Sequence, residues 1–477
     1  ALLTVWLRAQ GRDARLYVPD RIDEGYGPNP AAMAALADAH DLIVCVDCGT
    51  VAHEALAAAA AADVVVLDHH QGGEVLPPAL AVVNPNRQDE DGALGHLCAA
   101  GVVFLVLVEA NRQLRAAGRA GPDLMGLLDL VALATVADVA PLVGVNRAFV
   151  RQGLAVMARR ERPGLVALAD VAGLDRPPDP YHLGFVLGPR VNAGGRVGRA
   201  DLGARLLSCA DAAEAARLAT ELDRLNVERR AIEAAARAEA RAQAEARLEA
   251  ASAPALAWAA GEGWHPGVVG IVAARLKEAT GLPAVVLALE GGIATGSARS
   301  VAGVDIGAAV ARLVAEGLAL RGGGHAMAAG LSVAAGSLAP AMARLEELLA
   351  RQGAGRDGPA ALPLDGVLMP GAATPDLVAA LDAAGPFGAA APAPRFAFPA
   401  LAVRDARPVG ADHLKLRLFD DTGARIEAIA FNVAASPLGA ALRDHSGHRL
   451  HVAGTLEINH WQGRRTVQLR LSDAART

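Results

Sequence analysis

Five side chains of types that bind divalent metal ions stand at or near the ends of apolar stretches of the chain. They are Asp47, Asp68, His69, His70 and Asp138. Carboxylate and imidazole ligands together suit Mn²⁺, Zn²⁺ or Fe²⁺ better than Ca²⁺, which prefers oxygen ligands. Separate segments that deliver such groups to one place would therefore form a divalent-metal site.

Buried parallel strands are the elements that would position these groups. The pattern predicts a strand at 42–47, a helix at 52–61 and a strand at 63–68. This β-α-β alternation is typical of an α/β fold with a doubly wound parallel sheet, whose ligand sites lie beyond the carboxyl ends of the strands. We therefore expect the Asp-His-His sequence to lie at the lip of a crevice. A further strand is predicted at 15–19, before a turn-rich loop.

The composition bounds the class of protein. A chain of 477 residues is long enough for two to four domains, and its 53% hydrophobic content can fill several cores. The net charge of −6 is not typical of a nucleic-acid-binding protein, so local arginine clusters would have to make any contact with nucleic acid. Four cysteines form no disulfide framework, which favours a cytoplasmic location, and the apolar stretches are too short to cross a bilayer.

Three motifs resemble those of the DHH phosphoesterase superfamily, and within it most closely the RecJ-type single-strand-specific exonucleases. They are Asp-Cys-Gly at 47–49, Asp-His-His at 68–70 and Val-Ala-Asp-Val-Ala-Pro-Leu at 136–142. The resemblance extends from the first residue to the last. It implies a phosphodiesterase in which two divalent cations, Mn²⁺ or Mg²⁺, clamp an in-line displacement at phosphorus.

The resemblance also implies a role for each candidate ligand. Asp47 would bridge the two cations, and His69 and Asp138 would be terminal ligands. Asp68 would orient the metal ligands without being one of them. His70 would approach the scissile phosphate as a hydrogen-bond donor or acid. One departure is that family members carry an Asp-x-Asp motif on their first strand, and this chain starts after that point. We expect the chain as given to bind divalent metal weakly and to cut poorly.

A Gly- and Arg-rich stretch at 187–199 is the second candidate site. Glycines let a backbone approach phosphate closely, and guanidinium groups fork onto phosphate oxygens. The stretch resembles the family's Arg-x-Asn-Ala-x-Gly-Arg motif, which implies substrate contacts for Arg190, Asn192 and Arg196. A flexible basic loop without a ligand is the alternative interpretation.

The residues from Asp211 to about Ala250 contain neither Pro nor Gly, and they predict one helix of roughly 60 Å. We interpret it as a solvated linker that spaces two domains, with Glu233 and Arg237 as an i,i+4 ion pair. No catalytic residue is expected on it.

Two Gly-containing stretches beyond this helix, 296–300 and 322–330, resemble the DHH-associated domain. There, Ser-x-Arg and Gly-Gly-His elements hold the nucleotide phosphate, and backbone N–H groups of a glycine run can form an anion nest. The resemblance implies phosphate contacts for Ser297, Arg299, Gly324 and His325. His265, which precedes a proline, either touches substrate or caps a helix.

Short alternating strands with tight turns dominate from about residue 396, which suggests a small barrel. It resembles the family's OB-type domain, which grips single strands with basic and aromatic side chains. Candidate contacts are Lys415, Arg417, Phe431, His460, Trp461, Arg464 and Arg465. The alternative for each of these residues is that the barrel only stabilises the enzyme and does not contact the strand.

These assignments divide the chain into four segments. We predict a DHH domain at 1–208, a long connecting helix at 209–251, a smaller α/β DHH-associated domain at 252–390 and an OB-like domain at 391–477.

The resemblance implies 5′→3′ removal of nucleotides from single-stranded DNA in recombination and repair, with a single-strand-binding protein and a helicase as candidate partners and no membrane. Two alternatives stay open. One is a DHH enzyme for short oligonucleotides or cyclic dinucleotides, which typically lacks the β-rich third domain. The other is a non-catalytic single-strand binder. A dinucleotide-binding Rossmann domain is disfavoured, because no Gly-x-Gly-x-x-Gly separates a first strand from its helix.

Overall fold

The computed structural model describes residues 1–20, 24–25, 27–355, 361–444, 448–461 and 464–477. The chain divides into two compact units. Unit 1 comprises Ala1–Asp138 and Gln152–Ala360, and unit 2 comprises Val139–Arg151 and Ala361–Thr477.

A three-stranded parallel sheet organises the first part of unit 1. Its strands, in spatial order, are β1 (Leu42–Val46), β2 (Asp63–Leu67) and β3 (Ala81–Val83). The strands are parallel, so the chain leaves all of them at the same edge, and the residues that follow can meet there. The predicted parallel sheet is therefore confirmed. The strand predicted at 15–19 is wrong, because none of the described strands pairs with that segment.

Helices make up most of the rest of the first 250 residues. They are α1 (Leu2–Ala9), α2 (Pro30–Ala37), α3 (His53–Ala57), α4 (Ala99–Ala116), α5 (Leu128–Ala137), α6 (Gly144–Met157), α7 (Pro163–Val171), a π-helical turn at His182–Leu187, α8 (Gly188–Val197), α9 (Leu202–Ser208) and α10 (Ala212–Ala250). The loop interpretation of 187–199 is wrong, because most of that stretch is helical. Close packing accounts for Gly188, where an added Cβ would lie 3.1 Å from Ala137 Cβ.

Helix α10 is the predicted long helix, and Asp211 caps its N-terminus by accepting a hydrogen bond from the Glu214 N–H. It is not the solvated linker that its polar composition suggested. Its first half packs against α7 and α8, and its second half packs Ala236, Ala240 and Ala244 into a core with the following domain. Small alanine side chains let neighbouring elements approach the helix closely, so both parts of unit 1 pack against this shared helix.

A five-stranded mixed sheet forms the last part of unit 1, with spatial order β4-β5-β6-β8-β7. The strands are β4 (Ala257–Glu262), β5 (Ala284–Glu290), β6 (Ile293–Arg299), β7 (Arg321–His325) and β8 (Ala328–Ala334), and the helices are α11 (Pro266–Thr280), α12 (Ile306–Ala315) and α13 (Leu338–Arg351). His265 caps α11, since its Nδ1 accepts a hydrogen bond from the Gly267 N–H at 3.0 Å. The capping alternative for His265 is therefore the one that the structure supports.

Unit 2 contains a closed five-stranded barrel. Its strands are β10 (Arg395–Val409), β11 (His413–Phe419), β12 (Arg425–Ala430), β13 (Arg449–Trp461) and β14 (Arg464–Arg476), and a short β9 (Gly366–Val367) adds to β10. The pairings β10–β11, β11–β12, β12–β14, β14–β13 and β13–β10 close the ring. Helices α14 (Pro375–Ala384) and α15 (Pro437–Arg443) complete the unit. The predicted OB-like barrel is confirmed.

Among the described residues, no helix combines the length with the apolar character that crossing a lipid bilayer would require.

Candidate metal centre and phosphate-binding groove

Asp47 leaves the end of β1 in a conformation that few non-glycine residues adopt. Its φ is +64°, and the φ of Gly49 two residues later is +114°, so the chain turns sharply away from the sheet. The Asp47 N–H still donates to Leu67 O at 3.0 Å, which holds the residue at the strand end. Its side chain is 57% exposed. Local strain of this kind is typical of functional sites, where the surrounding structure maintains it.

Asp68 follows β2 and lies almost completely buried, at 1% exposure. Its Oδ2 accepts hydrogen bonds from the Thr50 N–H at 3.1 Å and the Thr50 hydroxyl at 2.7 Å, and its Oδ1 accepts from the His69 N–H at 2.8 Å. Burial acts to raise the pKa of Asp68, but these bonds and one from His70 outweigh it and hold that pKa well below its usual range. Asp68 is thus an anion that fixes the loop after the strand.

His69 is oriented by its ring Nδ1, which lies 3.0 Å from Leu97 O and donates to it. This tautomer leaves the Nε2 lone pair directed at two carboxylates, with Asp47 Oδ1 at 3.1 Å and Asp138 Oδ2 at 3.7 Å. Burial acts to lower the pKa of His69, but the hydrogen bond with Asp47 and the charge of Asp138 raise it overall. If the ring is neutral and no proton is shared, the Nε2 acceptor of His69 faces the acceptor oxygens of Asp47 and Asp138. Such a donor set therefore fits a divalent cation.

Asp138 follows the C-terminal end of the helix α5, whereas Asp47 and Asp68 follow strands. Burial raises the pKa of this carboxyl, while its side chain keeps 46% exposure toward the site. Asp47, His69 and His70 offer ligand atoms that lie within 4.8 Å of one another. The sequence-predicted residues Asp47, Asp68, His69, His70 and Asp138 therefore come together, although they belong to three separate segments.

The segment after β2 is held by residues that the sequence did not single out for this role. His70 Nδ1 donates to Asp68 Oδ1 at 2.7 Å, and this hydrogen bond raises the pKa of His70. The Asn84 amide donates to the Thr50 hydroxyl and to His70 O, both at 2.8 Å. Asn84 follows β3 as Asp68 follows β2, so its position after an apolar run was the available signal.

A groove of about 1550 Å³ in unit 1 contains both exposed carboxylates, Asp47 and Asp138. Asn192 and Arg196 on α8 line the same groove, and the Arg196 Nη1 donates to Gly267 O at 3.0 Å. Arg190 differs from them, because its Nε donates to Asp223 Oδ1 at 2.8 Å and is committed to α10. Two of the three predicted contacts on this stretch therefore share the groove with the metal candidates.

The strand register of the second sheet places Ser297, Arg299 and His325 on one face. Arg299 and His325 are both directly opposite Ala328, and Ser297 lies two residues before Arg299. The Arg299 Nη1 donates to Ser297 Oγ at 2.6 Å, and burial lowers the pKa of Arg299. Gly324 and its neighbours form an exposed edge strand, β7, so the anion nest expected of a glycine turn is not what the backbone forms.

The barrel candidates differ in how free their side chains are. Lys415 pairs with Glu427 at 2.8 Å, and Arg417 pairs with Asp405 at 3.1 Å. Phe431 is 40% exposed, contacts His413 edge-on at 5.1 Å between centroids and lies 5.2 Å from Arg470 Cζ. Arg465 is exposed. The side chains of His460, Trp461 and Arg464 lie outside the described residues.

Family profiles match three parts of the chain. The "DHH family, N-terminal domain" matches residues 1–135, the "DHHA1 domain" matches 252–351, and the "RecJ OB domain" matches 364–473. The metal candidates fall in or next to the first match, and the Ser-x-Arg and Gly-Gly-His elements fall in the second. Fold and site together define a protein of the DHH class that carries a RecJ-type barrel.

Proteins named "Single-stranded-DNA-specific exonuclease RecJ" are similar over nearly the whole chain. That of Dickeya dadantii (strain 3937) is 38% identical over 486 residues, which cover 98% of this chain and 84% of the relative. That of Escherichia coli (strain K12) is 37% identical over 469 residues, which cover 95% and 80%. The chain belongs to the RecJ family.

The solved structure of RecJ from Thermus thermophilus in complex with Mn²⁺ superposes with a TM-score of 0.80 at 32% identity. The match covers 99% of this chain and 66% of that one. The chain thus spans just under two thirds of the length of that structure.

Proposed function

We propose that the protein is a metal-dependent exonuclease that hydrolyses phosphodiester bonds in single-stranded DNA. The convergence of Asp47, His69 and Asp138 supports this most directly, because carboxylate oxygens from two other segments lie within 3.7 Å of the His69 Nε2. The names of the relatives supply the substrate class. RecJ of T. thermophilus has been solved with Mn²⁺ and with Mg²⁺, so we infer two divalent cations of these kinds here.

We assign Asp47, His69 and Asp138 as the residues that would hold the divalent cations. Bound divalent cations would lower the pKa of a water molecule and neutralise charge on the phosphoryl oxygens. Asp68 would keep His69 and His70 in position through its backbone and side-chain hydrogen bonds. His70 would contact the phosphate through Nε2, since its Nδ1 is bound to Asp68.

In this proposal, residues other than the metal ligands bind the substrate. Asn192 and Arg196 would contact the phosphates nearest the metals, because they line the same groove. Ser297, Arg299, Gly324 and His325 would hold a neighbouring phosphate, and Arg190 would act through its ion pair with Asp223. Phe431, Arg465 and Arg470 of the barrel offer stacking and charge to a single strand.

The finer assignments also belong to the proposal. The four-segment division at 1–208, 209–251, 252–390 and 391–477 would correspond to metal site, shared helix, phosphate-binding domain and strand-binding barrel, although Val139–Arg151 and the residues from Ala361 onward belong to unit 2. Polarity is 5′→3′, the pathway is recombination and repair, and a single-strand-binding protein and a helicase are the partners.

Digestion of end-labelled single strands tests the proposal. Strands blocked at the 5′ end or at the 3′ end are incubated with the protein and Mn²⁺ or Mg²⁺, and the products are separated by length. We expect slow release of mononucleotides from the 3′-blocked strand and protection of the 5′-blocked strand. EDTA should abolish the products. Hydrolysis of cyclic dinucleotides but not of long strands would favour the alternative of a DHH enzyme for short substrates. Binding of single strands without any cleavage products would favour the non-catalytic alternative.

A pair of aspartate variants locates the chemistry. Asp47→Asn should lower the cleavage rate by at least ~100-fold, as expected for a disrupted metal site. Asp63→Asn is the matched control, because Asp63 is exposed at the opposite end of strand β2. Unchanged cleavage by the Asp47→Asn variant would show that the metal site lies elsewhere.

A further inference from the structure

Two aromatic side chains outside the proposed metal and phosphate sites are exposed and stacked on each other. Tyr181 is 54% exposed and Phe185 is 67% exposed, and their ring centroids lie 5.2 Å apart with planes 25° from parallel. Aromatic residues make up only 3% of the chain. Water thus reaches more than half of two large apolar rings in a chain that has few, and core packing does not explain their position.

The segment that carries the two rings is rigidly held. Asp179 Oδ1 accepts a hydrogen bond from the His182 N–H at 3.0 Å and lies 2.7 Å from His182 Nδ1, which fixes the start of the helical turn. Leu183 and Leu187 on the other side of the turn are fully buried. The rings therefore project from a fixed backbone, and ordering them for a ligand would cost little conformational entropy.

The same turn lies against the helix that ends in the metal candidate Asp138. An added Cβ at Gly184 would be 3.3 Å from Val136 Cγ1, and one at Gly188 would be 3.1 Å from Ala137 Cβ. Val136 and Ala137 are the two residues before Asp138. π-Helical turns such as this one occur frequently at functional sites, and this one continues directly into α8.

The aromatic pair belongs to the turn that immediately precedes the groove-lining helix α8. Gly188, Asn192 and Arg196 repeat at four-residue spacing along the groove, and Phe185 stands three residues before Gly188. Seven residues separate Phe185 from Asn192, which corresponds to about 10 Å along a helix. The rings thus lie one to two turns before a row of candidate phosphate contacts along the chain.

We propose that Tyr181 and Phe185 form a base-stacking platform for an unpaired nucleobase of the single-stranded substrate. This inference rests on the proposed function and adds a contact to the base, where the groups described above contact metal and phosphate. Every nucleobase has a π face, so stacking on an aromatic ring holds a strand without reading its sequence. A base inside a duplex is already stacked on both faces by its neighbours, so the platform also favours unpaired strands.

Binding of a fluorescent single strand, measured in Ca²⁺ without cleavage, tests the platform. The Phe185→Ala and Tyr181→Ala variants should each bind about 5- to 10-fold more weakly than the parent protein, in line with the cost of losing one base stack. Phe185→Tyr should restore parental affinity because it keeps the ring. Met125→Ala is the matched control, since Met125 is a 55% exposed apolar side chain without a ring.

A second measurement does not depend on variants. Strands with one 2-aminopurine are scanned position by position, and the parent protein should quench or shift the fluorescence of the stacked position. An abasic site at that position should weaken binding by the parent protein and leave the Phe185→Ala variant unaffected, because the lost contact is the same one.

The outcomes separate the two proposals. A parent protein that binds and cuts single strands, with Phe185→Ala and Tyr181→Ala variants of equal affinity, would overturn the platform and leave the nuclease assignment intact. A change of oligomeric state in these variants without weaker binding would mean that the rings contact protein, which also overturns it. A parent protein that neither binds nor cuts single strands would remove both.

Discussion

Asp68 illustrates how one buried carboxylate organises the candidate site through hydrogen bonds. It accepts hydrogen bonds from the Thr50 N–H and hydroxyl, from the His69 and His70 N–H groups and from the His70 ring. A carboxylate has only acceptors, so it satisfies several donors at once. An amide in its place would direct an NH₂ group at one set of these donors.

We expect Asp68→Asn to lower the free energy of unfolding by about 1–3 kcal/mol, the usual cost of leaving buried donors unsatisfied. The pKa of Asp68 is lowered in the folded protein, so its contribution is present above the unfolded value of about 3.9 and is lost as the pH falls further. Urea unfolding at pH 7 is therefore the measurement. Asp63→Asn, at an exposed aspartate, should change the value by less than about 0.5 kcal/mol. Equal stability of both variants would contradict this account.

The sequence singled out the metal candidates but not the residues that hold them in place. Asp47, His69 and Asp138 follow apolar runs or complete a specific motif, so strand geometry and the resemblance together indicated them. Leu97 acts through a backbone carbonyl and Thr50 through a loop contact, and neither leaves a pattern along the chain. Contacts between residues far apart in the sequence appear only when the fold is formed.

At the scale of elements, two Gly-rich stretches were interpreted as loops or nests and are regular structure instead. Helix α8 has close backbone neighbours at Gly188 and Gly194: an added Cβ at Gly194 would lie 2.9 Å from Arg199 O. Strand β7 pairs with β8 throughout Arg321–His325. Glycine disfavours both states intrinsically, but tertiary packing overrides that preference. Local composition could not have predicted either element.

Helix α10 contains a buried ion pair that differs from the predicted one. Glu233 pairs with Arg229 at 2.6 Å, where the sequence suggested Arg237, and both side chains are nearly buried, at 9% exposure for Arg229 and 14% for Glu233. Asn226 accepts a further hydrogen bond from Arg229 at 3.1 Å. The i,i+4 rule holds in either direction along a helix, so only the packing around α10 decides which arginine is the partner.

We expect Glu233→Ala to destabilise unit 1 by about 3 kcal/mol, because it leaves the Arg229 charge buried without its counterion. Glu245→Ala is the matched control in the same helix, since Glu245 pairs with Arg241 and the two side chains are 50% and 65% exposed. Both substitutions introduce the same helix-favouring residue. The control should cost less than about 0.5 kcal/mol. Thermal unfolding followed by circular dichroism measures both, and equal losses would show that the Arg229 pair is not effectively buried.

At the scale of the whole molecule, each unit has hydrophobic cores of its own. Two of the clusters in unit 1 lie behind the parallel sheet and along α10, and unit 2 has a core inside the barrel around Phe398. Every candidate metal ligand belongs to unit 1. Binding free energy from the cation should therefore appear as stability of unit 1 and not of the barrel.

Hydrogen exchange with and without Mn²⁺ tests this distribution. At a Mn²⁺ concentration about 100 times the dissociation constant, a ligand that binds only the folded state adds about 2.7 kcal/mol of stability. Amides of β1 and β2, which lead into Asp47 and His69, should therefore exchange more slowly, and amides of β10–β14 should keep their rates. EDTA should restore the original rates in unit 1. The Asp47→Asn variant is the control and should show no Mn²⁺ effect. Slower exchange in the barrel but not in β1 and β2 would contradict the assignment of the metal site to these ligands.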